Sequence, residues 1–188
     1  MRNLNFRLDL GEIYLRLLEE KDVPALLKLY VDNAAFLKPW EPARSASFYT
    51  TEGIGHIIRA DQDASRADEA YAFGLFLAEN DQLIGRYRLS WIMRGFAETC
   101  NLGYFLAEAY NGRGYSTRAV KRLLQFAFEE LGLHRVAAAT MLKNAGSQRV
   151  LEKAGFRREG LALRYLKMND HWEDHYLFAI TREDWEAR

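Results

Sequence analysis

The chain has 188 residues with 26 basic and 26 acidic side chains, a balance that leaves no global field to gather nucleic acid or an anionic membrane. That length fits one domain, residues 1–188, and the lone Cys100 excludes an internal disulfide framework. Met1–Leu10 lacks the pattern of a signal peptide, and no later run approaches the roughly 18–20 apolar residues of a membrane span. The expectation is a cytoplasmic protein, monomer or homodimer, with no direct nucleic-acid or membrane contact.

Asp22-Val23-Pro24 reads as an N-cap followed by proline in the first helical turn, opening a helix to about residue 31 with Leu26, Leu27 and Tyr30 among its contacts. Residues 32–50, broken by Pro39 and Pro42 and carrying Trp40, form an irregular segment, either packed on the surface or touching substrate. A second helix is expected over 50–60, and 61–69 is polar enough for a turn or mobile connection. Strands follow at 71–78 and 83–91, joined by Glu79-Asn80-Asp81-Gln82. A strand over 98–106 places Glu98, Cys100, Leu102, Tyr104 and Leu106 on one face, with Cys100 as a buried small hydrophobe.

Between 116 and 131 the period changes: Val120, Leu123, Leu124, Ala127, Phe128 and Leu131 make one apolar helix face, capped by Gly132. Arg135–Thr140 forms another strand, 146–154 a short helix closed by Gly155, and 161–168 with 173–180 an antiparallel pair about Asn169-Asp170. This order arranges α and β elements around one sheet.

Asn111-Gly112-Arg113-Gly114-Tyr115-Ser116 lies between a strand and the longest amphipathic helix, where glycines and unpaired N–H groups suit an anion such as pyrophosphate; the same pattern also serves a plain turn. It matches neither the dinucleotide fingerprint nor the nucleotide P-loop. His56, His134, His171 and His175 have no recognised metal spacing, so no metal is expected.

With Asn144-x-x-Ser147, Gly155-Phe156-x-x-Glu159-Gly160, Phe36-Leu37-Lys38-Pro39-Trp40-Glu41-Pro42, His134-Arg135 and Trp172-x-Asp174-His175, the chain resembles the Rim-type branch of the GNAT superfamily over almost its whole length. Asn111 and Ser116 depart from the usual outer residues of that family's coenzyme A loop, while Gly114 keeps its central glycine. The resemblance implies a mixed α/β fold, a twisted, largely antiparallel sheet with splayed central strands flanked by helices. It further implies acetyl-coenzyme A (acetyl-CoA) as cosubstrate and, as acceptor, the N-terminal α-amine of a protein, a ribosomal protein starting with alanine. Acetylation of a small amine and a non-catalytic coenzyme A-binding module stand as alternatives.

On that resemblance the cofactor would meet the backbone of Phe105 and Leu106, the loop Asn111, Gly112, Arg113, Gly114, Tyr115, Ser116 and Thr117, and Asn144. Ser147 is the candidate to protonate the departing sulfur, with Asn144 orienting it; helix capping competes for both residues. An α-amine has a pKa of about 7.7–8.0, so no strong base is obligatory. Glu98 and Glu41 are the two carboxylates to consider for proton removal, and Trp40, Glu41, Tyr104 and Trp172 for shaping the acceptor site. Glu41, Asp170, Glu173 and Asp174 add acidic charge for a basic peptide.

Overall fold

The computed structural model describes residues 7–187. A short hairpin, β1 (Arg7–Asp9) and β2 (Ile13–Leu17), precedes helices α1 (Val23–Asp32), α2 (Ala34–Leu37) and α3 (Thr51–Arg66). Strands β3 (Tyr71–Leu77), β4 (Leu83–Met93) and β5 (Thr99–Leu106) run as a meander. Then come α4 (Tyr115–Gln125), β6 (Arg135–Met141), α5 (Ala145–Ala154), the hairpin β7 (Arg157–Met168) with β8 (His171–Thr181), and α6 (Arg182–Glu186). The strands form one sheet in the order β1-β2-β3-β4-β5-β6-β8-β7, antiparallel at every junction except β5–β6.

Both faces of the sheet are covered, which is why all seven residues of β3 are buried rather than alternating. Tyr71, Phe73 and Leu75 pack with the inward stripe of α4, Ala119, Val120, Leu123 and Leu124, on one face. Phe76 packs with Leu26 and Leu29 of α1 and Ile54 and Ile58 of α3 on the other. The stripe of α4 continues through a π-helical turn, Phe126–Glu130, so that Ala127, Phe128 and Leu131 remain buried. Gly155 closes α5 as expected.

Three expectations need correction. Asp22 holds the N-cap position of α1 without capping it: its carboxylate accepts from Arg16 at 2.6 and 2.7 Å and from Glu19 N, a stronger use of a charge than one neutral amide. Residues 61–66 are the last turns of α3, because Asp61 and Ser65 face inward and find partners there. The irregular segment 32–50 contains the short α2 and a 3-10 turn at Ala46–Tyr49, held by Phe48 edge-on to Tyr30 at 4.9 Å.

The feature that shapes the site is the parallel pair. β5 and β6 are in register only at Thr99↔Arg135, Cys100↔Val136 and Asn101↔Ala137, and then diverge. From Leu102 onward the β6-facing edge of β5 has no strand partner in that ladder, and a wedge opens toward the ends of both strands. Cys100 is fully buried in the core at the closed end.

Candidate active site

At the open end, β5 leads through a 3-10 turn, Glu108–Tyr110, into the glycine loop. Gly112 and Gly114 both have φ +78, the left-handed region that favours glycine, and a Cβ built on either meets nothing within 4 Å. The loop is therefore open on its outer side. Gly114 stands at the N-cap of α4 with no side-chain cap, and no acidic residue lies in the first turn. The first helical bond runs from Arg118 N to Gly114 O, leaving the N–H groups of Tyr115, Ser116 and Thr117 without i→i−4 partners at the positive end of the helix dipole. Such an end suits an anion, and with the unpaired edge of β5 beside Phe105 and Leu106 it fits an extended pyrophosphate-bearing cofactor.

The individual loop side chains differ in their availability. Arg113 lies over the Tyr110 ring at 5.3 Å, and Asn111 is exposed. Tyr115 turns away, its hydroxyl donating to Glu12 Oε2 at 2.9 Å. Ser116 is buried and its Oγ accepts from Tyr87 OH at 2.9 Å.

Across the wedge, α5 begins at Asn144, whose Oδ1 accepts from Ser147 N at 3.0 Å. The cap is thus Asn144, and Ser147 sits one turn in with its hydroxyl free of that duty. Ser147 Oγ lies 3.0 Å from Tyr104 OH. Burial pushes the Tyr104 phenol up to about 12, and its ring stacks on Tyr87 with centroids 5.4 Å apart. Sequence reasoning missed Tyr87. Its alternation with Gly85 and Leu89 marks an inward face, but nothing local names its partner Ser116.

On the opposite face of β5, Phe105 packs against Tyr30 at 5.0 Å. Tyr30, Lys38, Glu41, Arg44, Tyr49 and Asn169 line a cavity of about 330 Å³. Asn169, in the β7–β8 turn, donates from Nδ2 to Lys38 O at 2.8 Å, so the 36–42 loop and the closing hairpin meet as the two sides of one space. Burial pushes the Glu41 carboxyl above its ordinary value, with Arg44 at 3.6 Å and Arg86 pulling it back. Trp40 is half-buried beside this segment, whereas Trp172 exposes 60% of its surface.

Glu98 is not brought to the site. It precedes β5 at φ +40, exposed, with its carbonyl accepting from His134 N and Arg135 N at the closed end of the wedge. Tyr104 lies six positions further along, roughly 20 Å at about 3.3 Å per residue. The acidic residues of the hairpin are engaged: Asp170 with Lys167 at 3.0 Å, Glu173 with Lys143 at 3.1 Å, and Asp174 accepting from Arg164 N at 2.7 Å. His175 is buried and donates from Nδ1 to Glu173 O at 2.9 Å, while His171 is exposed. Among the described residues no three His, Cys, Asp or Glu side chains are grouped to hold a metal, and no helix is long and apolar enough to cross a membrane.

The acetyltransferase (GNAT) domain profile matches residues 12–157. The Bacillus subtilis protein named "Probable N-acetyltransferase YjcK" is 44% identical over 172 residues, covering 92% of this chain and 95% of that one. The [Ribosomal protein uS5]-alanine N-acetyltransferase of Escherichia coli is 32% identical over 179 residues, 95% of this chain and 92% of its own. The solved ribosomal-protein-S5-alanine acetyltransferase of Vibrio fischeri superposes with a TM-score of 0.91 at 31% identity, covering 96% of this chain and 99% of that one. The chain belongs to the GNAT superfamily and is an acetyl-CoA-dependent acetyltransferase. Within that superfamily it is closely related to the RimJ/RimL-type ribosomal-protein-alanine N-acetyltransferases.

Proposed function

We propose that this chain acetylates the N-terminal α-amine of a protein, with a ribosomal protein beginning with alanine as the acceptor. The observation that carries this reading is the Glu41 cavity, an open pocket between the 36–42 loop and Asn169 on the face of β5 opposite Ser147. At about 330 Å³ it lies at the small end of ligand cavities and has room for the first residue of an extended peptide. The similarity to an enzyme named for the alanine of uS5, over 95% of this chain, supports the same acceptor class. The single sheet supports taking residues 1–188 as one catalytic domain.

Acetyl-CoA brings the activated thioester. The amides of Tyr115, Ser116 and Thr117 hold its pyrophosphate beside Gly112 and Gly114, and the free edge of β5 at Phe105 and Leu106 pairs with its extended arm. The neutral amine nitrogen attacks the carbonyl carbon, the carbon–sulfur bond breaks with its electron pair on sulfur, and the nitrogen sheds a proton. Glu41, more basic than a solvated glutamate, orients the amine and receives that proton through water. Ser147 offers a hydrogen bond to the sulfur from the other face.

Alanine-starting ribosomal peptides, the same peptides with a bulky first residue, N-terminally blocked peptides and small amines at equal concentration separate the readings. Product mass and free thiol are the readouts. Fastest transfer to the unblocked small-residue peptide is expected. Faster transfer to a small amine, or transfer to a blocked peptide, would sink the acceptor assignment and leave the acetyltransferase intact.

A further inference from the structure

We propose that Tyr104 is a positioning residue for the transfer step, aiming the Ser147 hydroxyl at the departing sulfur, while its stacked partner Tyr87 bonds Ser116 in the first turn of α4. The inference rests on the reading of Ser147 given above. Tyr104 OH lies 3.0 Å from Ser147 Oγ and 3.3 Å from Ser147 O, and its single proton goes to the nearer oxygen, Oγ, in this arrangement. The Ser147 backbone is already fixed by the Asn144 cap, which leaves the rotation of one side chain to be set.

A serine hydroxyl has one proton and two acceptor lone pairs. A hydroxyl that gave its proton to Tyr104 would have none for sulfur. With Tyr104 as the donor, one Ser147 lone pair is occupied and its O–H turns toward the wedge. Tyr104 and Tyr87 are register partners on β5 and β4, their rings 5.4 Å apart and 4° from parallel, and Tyr87 OH donates to Ser116 Oγ at 2.9 Å. Two hydroxyls on two helix starts are thereby anchored to one pair of rings, one beside the cofactor loop and one beside the leaving group.

Burial fits this division of labour, raising the Tyr104 phenol to about 12 and the Tyr87 phenol further. Both hold their protons at neutral pH and so have one to donate. An alkyl thiol such as cysteine has a pKa of about 8.5, so a phenol this weakly acidic does not yield its proton to a thiolate at equilibrium. The proton that ends on sulfur or in solvent is the one the amine loses. Ser147 and Tyr104 supply hydrogen bonds.

The test uses the full chain with coenzyme A bound, following the ultraviolet absorbance of its thiolate against pH, together with kcat and KM. Wild type, Ser147→Ala, Tyr104→Phe and the double variant are compared. Ser147→Ala is expected to raise the bound thiol's pKa and to lower kcat. Tyr104→Phe is expected to do both to a smaller extent, about three- to tenfold in kcat with acceptor KM unchanged, and the double variant to be no worse than Ser147→Ala. Losses that multiply in the double variant, or a Tyr104→Phe enzyme with unaltered thiol pKa and kcat, would overturn the inference and leave Ser147 in place. An unaltered Ser147→Ala enzyme would remove both. Should Tyr104→Phe fail to fold, a ring-fluorinated tyrosine at 104 keeps the ring and sharpens the donor. Turnover that then changes only while Ser147 is present supports the inference, and turnover that does not change overturns it.

Discussion

The Asp61 carboxylate on α3 is joined to the Arg86 guanidinium on β4, both largely out of water, and its second oxygen accepts from Arg88 Nε at 2.9 Å. The pair pins the last turns of α3 to the sheet on the face that carries Tyr30 and Glu41. Removing one member of such a pair strands the other, at a cost of about 3–5 kcal/mol. Asp61→Ala should show that loss in urea unfolding. Asp63→Ala, two residues on from Asp61, breaks an exposed pair with Arg66 and should change stability by less than about 1 kcal/mol. Equal effects would mean that the buried pair contributes no more than a surface one.

Gly114→Val tests the cofactor loop. A Cβ at 114 meets no neighbouring atom, so the fold survives, losing roughly 1–2 kcal/mol for a side chain at positive φ. The same branch projects into the open side of the loop, where the proposed pyrophosphate would approach the amides. Calorimetry should show coenzyme A affinity lower by at least about tenfold, since losing one or two charge-assisted bonds is worth about 1.5–3 kcal/mol each. Unchanged affinity in a folded variant places the pyrophosphate elsewhere.

Asn144→Ala separates capping from chemistry. Removing the acceptor for Ser147 N should cost about 1 kcal/mol of stability, read as a lower denaturation midpoint. Turnover should fall too, because Ser147 stands on the turn that the cap holds. Asn144→Asp keeps an acceptor oxygen and should recover the midpoint.

Glu41 predicts a pH signature. Its carboxyl accepts a proton only when ionised, so kcat/KM should fall as pH drops through its pKa, and that acid limb should lie above the roughly 4.3 of a solvated glutamate. Glu41→Gln should remove that step and leave only the limb set by protonation of the acceptor α-amine itself, whose pKa is about 7.7–8.0. The stability sign is opposite. A carboxyl raised on folding favours the native state when protonated, and this contribution is lost as pH rises through the folded value. Glu41→Gln should therefore be at least as stable as wild type at neutral pH, which separates lost activity from unfolding in a single melt.

Much of this architecture was legible because its signals are local. The three- and four-residue spacing from Val120 to Leu131 announces α4, and Gly155 announces the end of α5. The residues that sequence reading misplaced have distant partners. Asp61 and Ser65 look like solvent-facing polar residues until Arg86, Arg88 and the Ala70 carbonyl are set against them. Tyr87 stands between two arginines, and its partner Ser116 is 29 positions away. Glu98 shows a different failure. Alternation assigned it the face of Tyr104, but a shared face says nothing about which end of a strand a residue occupies.

The bond from Asn169 to Lys38 spans 131 positions of sequence. Consider the chain emerging from a ribosome, amino end first. The glycine loop and the start of α4 are made before residue 120, whereas the acceptor cavity waits for the β7–β8 turn, and β7 can join the sheet only once β8 has filled the place between it and β6. A partly synthesised chain has its glycine loop but not the Asn169 wall of the Glu41 cavity. The order of synthesis thus sets the glycine loop early and leaves the Glu41 cavity to be closed by the last strands made.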